Sequence, residues 1–303
     1  MVDSLGGRPV LVTGARGFIG AHLCRHLVAL GADVHGTGRR TPEHPLPGVR
    51  WWCGDLAKPD VASRLIRGIQ PDVVFHLASR VVGARDRALV RPTLDANLVT
   101  TVELLDAITT RQPNCRLVLA GSLEEPTGDD TVPSSPYAAA KWAATAYARM
   151  YHALYQTRVN TARIFMVYGP AGDPNKLVPY VVRSLLAGTT PELSSGARPV
   201  DWIHVDDVAR GLIALALTDR ADGKHVDLGT GVLTTVREVV ETIFRLVDGD
   251  ITPSFGTLDD RPFEQVKRAD LDTATTMIDW RPRIDLETGL RDTIEWYRNL
   301  NAT

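Results

Sequence analysis

The chain has 303 residues, 44% of them hydrophobic and 23% charged, with a formal net charge of -2. That is a globular composition, long enough to bury a core and without a block of like charges. It argues against a nucleic-acid or anionic-membrane partner held by a basic face, and for small-molecule partners. Three isolated cysteines (Cys24, Cys53 and Cys115) show no CxxC or Cys/His spacing, so neither a disulfide framework nor a metal site is expected. The first residues lack a secretory pattern and the apolar run Gly211–Leu217 is too short for a bilayer, so a cytoplasmic location is expected.

Pro9–Thr13 is an apolar run that predicts the first strand. Ile19, Leu23, Leu27 and Leu30 then recur at three- and four-residue spacing and predict a helix over Phe18–Leu30, with Gly31 at its C-cap. Strands are expected at Asp33–Thr37, Val49–Cys53 and Asp72–Leu77, with a helix over Ala57–Ile69 before the last of them. A helix around Thr93–Thr109, a strand at Arg116–Ala120, a helix over Pro136–Tyr155 and a strand at Asn160–Phe165 follow. Apolar strands alternating with helices imply a parallel sheet covered on both faces, so the expected class is α/β, a Rossmann-type doubly wound sheet. From Tyr168 onward, loops rich in Pro and Gly separate shorter elements, with helices expected at Val178–Ala187, Val205–Leu217, Thr235–Val247 and Leu286–Asn299. The chain therefore reads as a body over residues 1–167 and a smaller C-terminal lobe over 168–303, with a soft boundary inside one continuous unit.

Thr13-Gly14-Ala15-Arg16-Gly17-Phe18-Ile19-Gly20 joins the first strand directly to the first helix. Gly14 permits the tight turn, Gly17 lets backbone approach a pyrophosphate, and Gly20 lets the helix pack closely on the sheet. The helix start, at Phe18 and Ile19, offers unpaired N–H groups and a partial positive charge to that anion. An NAD-preferring site ends its second strand with an acid for the ribose 2′-hydroxyl. Here the strand runs Val34-His35-Gly36-Thr37-Gly38-Arg39-Arg40, without one. Arg39 and Arg40 offer charge-assisted bonds to a 2′-phosphate instead, so NADP is the expected cofactor and NAD the alternative.

Tyr137 and Lys141 lie four residues apart at the start of a helix that Pro136 suits, and so share one face. An ammonium beside a phenol is expected to lower the phenol's pKa, making Tyr137 a general acid/base for a carbinol or carbonyl.

The GxxGxxG turn with the downstream Tyr-xxx-Lys resembles the extended short-chain dehydrogenase/reductase family over nearly the whole chain. Gly54-Asp55-Leu56 resembles its adenine contact, and His76-Leu77-Ala78-Ser79 its motif beside the cofactor ribose. Asn97 stands where the family has a helix-kinking Asn. Arg163 through Tyr168-Gly169-Pro170 and the segment Arg261-Pro262-Phe263-Glu264 are similar to nucleotide-sugar epimerases and dehydratases. The segment with Arg39 and Arg40 is similar to that of NADP-using GDP-mannose 4,6-dehydratases.

The resemblance implies that Ser122 hydrogen-bonds the reacting oxygen beside Tyr137 and that Lys141 holds the nicotinamide ribose. It implies a homodimer through the alanine-rich helix that carries Tyr137. Glu124 fits the Ser/Thr-x-Glu spacing of dehydratases and decarboxylases, whose carboxylate moves a proton next to the keto group, whereas Glu125 fits a structural Glu of several reductases. For the substrate it implies Met166 (where an Asn is usual), Arg198 (two residues before the usual diphosphate Arg, here Val200) and Arg261. The implied activity is NADP-dependent epimerisation or dehydration of a nucleotide-sugar through a transient 4-keto sugar. The alternatives are an NADPH-dependent reductase of a 4-keto-deoxy sugar or other ketone, and a dinucleotide sensor without turnover, which the intact Ser122, Tyr137 and Lys141 argue against.

Overall fold

A computed structural model describes residues 4–128, 131–249, 251–260 and 264–301. In chain order the first half runs β1 (Pro9–Thr13), α1 (Phe18–Ala29), β2 (Asp33–Gly38), β3 (Val49–Cys53), α2 (Val61–Ile69) and β4 (Val73–His76). A 3-10 turn (Arg87–Leu89), α3 (Val90–Leu94), a π turn (Asp95–Val99) and α4 (Thr100–Arg111) follow. Then come β5 (Arg116–Ser122), α5 (Pro136–Tyr155) and β6 (Val159–Ile164). The remainder runs β7 (Met166–Tyr168), α6 (Leu177–Leu186), β8 (Pro199–His204), α7 (Val205–Ala216), β9 (His225–Leu228), β10 (Leu233–Thr235), α8 (Val236–Val247), α9 (Leu271–Ile278) and α10 (Leu286–Asn301).

The main sheet has the order β3-β2-β1-β4-β5-β6-β9, and the pairings from β3 to β6 are all parallel. This is a Rossmann-type α/β fold. Its central strands β1, β4 and β5 are short and buried on both faces, the pattern that a sheet wound with crossover helices imposes. On one face Leu11, Val74, Leu117 and Leu119 pack with Leu65 and Ile66 of α2 and Leu104, Leu105 and Ile108 of α4.

The chain divides into two compact units. The first comprises residues 1–164, 209–227 and 272–280, and the second 165–208, 228–271 and 281–303. The first break lies close to the expected boundary at 167, but two later stretches return to the first unit, supplying most of β9, α7 and α9. In the second unit a small sheet in the order β10-β8-β7 packs with α6, α8 and α10 around Val181, Trp202, Val240 and Ile294.

Two local expectations shift. The helix expected from Ala57 begins at Val61, because Pro59 disfavours a helical Lys58 and Asp60 turns left-handed at φ 62°. The helix expected around Thr93–Thr109 is interrupted by the π turn at 95–99. Among the described residues no helix is long and apolar enough to cross a membrane, and no cluster of three ligating side chains is present.

Candidate active site

The strand order reverses between β1 and β4, and an open α/β sheet binds ligands beyond the carboxyl ends of such strands. Thr13 closes β1 and pairs with His76, which closes β4. The Ala78 N–H donates to Thr13 Oγ1 at 3.1 Å, and Thr13 Oγ1 hydrogen-bonds His76 Nδ1 at 2.7 Å. His76 Nε2 faces Thr100 Oγ1 at 3.4 Å, and the Thr100 hydroxyl donates to the Ala96 carbonyl at 2.8 Å. Burial, with the Lys141 ammonium adding to it, pushes His76 down to about 3, so the ring is neutral.

Gly14 sits at φ 69°, and a Cβ there would stand 2.7 Å from the Ala78 nitrogen. A Cβ on Gly20 would stand 2.2 Å from the Gly14 carbonyl oxygen, so α1 reaches the turn only because position 20 has no side chain. No side chain caps the start of α1, which leaves its first N–H groups, at Phe18 and Ile19, for an anion to satisfy. The turn fits a dinucleotide pyrophosphate. Beyond it, Asn97 in the π turn accepts from Ser79 Oγ at 3.0 Å and from the Arg80 N–H at 2.8 Å, pinning the segment that follows Leu77 and Ala78.

Arg39 and Arg40 are exposed immediately after β2, where the Cys53 thiol reaches the Arg39 carbonyl at 3.3 Å. Asp33, the nearest acid, lies at the far end of that strand and is engaged by Arg50 and by His35 Nε2. Asp55 accepts from the Ala57 N–H at 3.2 Å, and Leu56 is buried.

Ser135 caps α5 by accepting from the Ala138 N–H at 3.2 Å, and Pro136 opens the helix, so Tyr137 stands in its first turn. Tyr137, Ser122 and Lys141 are all buried, and the Tyr137 hydroxyl hydrogen-bonds to the Ser122 side chain. Ser122 Oγ also accepts from the Glu124 N–H at 3.2 Å, and Lys141 Nζ donates to the Ala120 carbonyl at 2.8 Å. Burial lowers Lys141 to about 8, with Glu125 acting against it.

The expectation of an acidified phenol is corrected. Burial raises Tyr137 above its ordinary value, Glu124 and Glu125 add to that, and only the Ser122 bond opposes it. The helical spacing places Tyr137 and Lys141 on one face, but the ammonium is turned to the β5 backbone and acts on Glu125 and His76. The phenol is thus a neutral donor.

Glu124 is half-buried, and its Oε2 accepts from Ser135 Oγ at 3.4 Å; Glu125 is buried, and its Oε1 accepts from the Ser122 N–H at 2.7 Å. The expected substrate residues fall in the second unit. Met166 is half-buried on β7, opposite Trp202 of β8. Arg198 pairs with Glu264 at 3.1 Å, and Arg261 lies outside the described residues. Sequence reasoning missed Thr100, which gives no local signal.

A Rossmann-type α/β body with a Ser-Tyr-Lys set beyond its fifth strand defines the class as a dinucleotide-dependent enzyme. Residues 10–229 match the model of the NAD dependent epimerase/dehydratase family, and the chain belongs to that family, within the extended short-chain dehydrogenases/reductases. A UDP-glucose 4-epimerase of Mycolicibacterium smegmatis is 32% identical over 317 aligned positions, covering 95% of this chain and 98% of the relative. A dTDP-glucose 4,6-dehydratase of the same organism is 31% identical, covering 95% and 93%. The crystal structure of the Bordetella bronchiseptica enzyme WbmF in complex with NAD+ and UDP superposes with a TM-score of 0.84 at 25% identity, covering 98% of this chain and 94% of that one.

Proposed function

We propose that the protein is an NADP-dependent enzyme that epimerises or dehydrates a nucleotide-linked sugar through a transient 4-keto sugar. The observation that carries this reading is the buried Ser122–Tyr137 hydroxyl pair, with Lys141 on the same helix face, beyond the glycine turn. Gly14, Gly17, Phe18 and Ile19 would hold the pyrophosphate, Asp55 and Leu56 the adenine side, Leu77, Ala78, Tyr137 and Lys141 the nicotinamide side, and Arg39 and Arg40 a 2′-phosphate. When bound there, the nicotinamide would supply a reversible hydride acceptor. Ser122 would hold the sugar oxygen; Tyr137 must first release its own proton, and as phenolate it would take the hydroxyl proton while the ketone forms and return it at the end. Glu124 abstracts the proton from the carbon next to the keto group. A UDP- or dTDP-linked hexose is the substrate class supported by the relatives' activities and by the UDP complex of the structural neighbour. Met166, Arg198 and Arg261 would contact it.

Net reduction of a 4-keto-deoxy sugar or other ketone is the second reading. It is favoured by the phenol that burial keeps protonated, a proton donor ready for a ketone oxygen. Exposed Trp142 and Tyr147 among the alanines of α5 support a homodimer through that helix, and three free cysteines suit a reducing cytoplasm. A thermal-shift panel of UDP- and dTDP-sugars with NADP tests the substrate class, because a ligand of the native state raises the melting temperature. The proposal expects one sugar to raise it further than NADP alone; no response across the panel would overturn it.

A further inference from the structure

The buried carboxylate of Glu125 has no part in the reaction as drawn, yet it sits among the residues that do. After Ser122 the chain turns, with the Glu125 N–H on the Ser122 carbonyl at 3.1 Å, and the side chain folds back to accept from the Ser122 N–H at 2.7 Å. A Cβ at position 121 would stand 2.7 Å from Glu125 Oε1, so the strand makes room for the carboxylate by ending in Gly121. Burial pushes Glu125 above the usual carboxylate range, and the Ser122 N–H, Lys141 and Arg163 pull it back.

Those groups come from three elements. Lys141 lies on α5, and its Nζ is anchored to the Ala120 carbonyl, two residues before the N–H that Glu125 holds. Arg163 faces the carboxylate from β6 and is itself paired with Asp227 of β9 at 2.8 Å. Neutral His76 of β4 faces Lys141, and Tyr137 and Glu124 are further titratable neighbours among the described residues. Along this row the charges alternate: Lys141 positive, Glu125 negative, Arg163 positive, Asp227 negative.

We infer that Glu125 is a positioning residue of the Ser122–Tyr137–Lys141 set: its carboxylate holds the Ser122 main chain and supplies the counter-charge of the Lys141 ammonium, which is anchored two residues earlier on the same strand. Glu125 is the neighbour that acts against burial at Lys141. Without that negative charge, Lys141 gives up its proton at lower pH. The catalytic meaning rests on the reaction proposed above; the coupling itself does not.

The test therefore uses no substrate. The chain has five lysines, so Lys141 can be followed in full-length protein labelled with 13C and 15N at lysine, its signal assigned by its loss in Lys141→Met. The expected result is a titration midpoint lower by at least one pH unit in Glu125→Gln than in the unmutated protein, with Glu125→Asp in between. An unchanged midpoint in folded Glu125→Gln overturns the inference. If Glu125→Gln alone does not fold, the double variant Glu125→Gln/Lys141→Met decides. Recovery of a cooperative melt supports the pairing, because the uncompensated ammonium has gone, and failure to recover refutes it.

Discussion

Thr13 Oγ1 hydrogen-bonds His76 Nδ1 at 2.7 Å, and this bond joins the last residues of β1 and β4 at the point where the sheet reverses its order. The ring is held neutral, at about 3 against an ordinary 6.5. Between those values the unfolded chain binds a proton that the folded chain does not, so stability falls as pH falls, by at most about 1.4 kcal/mol per pH unit for this one group. His76→Gln removes that proton uptake. Urea unfolding from pH 6.5 to 4.5 should show a shallower acid loss in the variant. Parallel curves would remove His76 from the acid sensitivity.

Tyr137→Phe and Ser122→Ala each delete one hydroxyl of the pair. Turnover should fall roughly a hundred- to ten-thousand-fold in Tyr137→Phe, the range for a lost general acid/base. Because the phenol is a neutral donor here, the binding of NADPH should change little in that variant. Fluorescence titration of NADPH and steady-state rates on the same preparations check both halves of the statement.

Arg39→Ala should weaken NADPH by about 1.5–3 kcal/mol, on the order of ten- to a hundredfold in Kd, and leave NADH unchanged. The unmutated protein should already prefer NADPH, since Asp33 is engaged by Arg50 and His35. Equal dissociation constants for the two cofactors before mutation would end the case for a 2′-phosphate site.

Glu124 hangs between Ser122 Oγ, through its N–H, and Ser135 Oγ, through its carboxylate. Turnover in deuterated water should place label at the carbon beside the transient ketone, and Glu124→Gln should abolish that label. Stoichiometric consumption of NADPH without label would instead identify a reductase.

The glycine turn, the strands from β1 to β6 and the Ser122, Tyr137 and Lys141 positions were legible because each rests on local spacing. Gly14 needs a positive φ, Ser135-Pro136 marks a helix start, and four residues make one helical turn. What escaped depends on distance along the chain. Thr100 meets His76 across 24 residues, and Arg163 meets Asp227 only once β9 has joined the sheet beside β6. The direction of the Tyr137 shift was misread for the same reason, since burial is a property of the assembled core and not of helix spacing. The strands of the second unit are three to six residues long, too short for their alternation to stand out.

The chain passes from one unit to the other five times, after residues 164, 208, 227, 271 and 280. A gene cut down to residues 1–167 would keep β6 and lose β9. Thr161 would lose the Lys224 carbonyl at 2.9 Å, Asn160 the Leu215 carbonyl at 3.0 Å, and half-buried Arg163 its carboxylate partner. An opened strand edge with such orphaned groups invites pairing with other chains. The two units are therefore not interchangeable cassettes. An exchange of the whole second unit would need five junctions, and a single break after residue 164 or 208 would part β9 from β6.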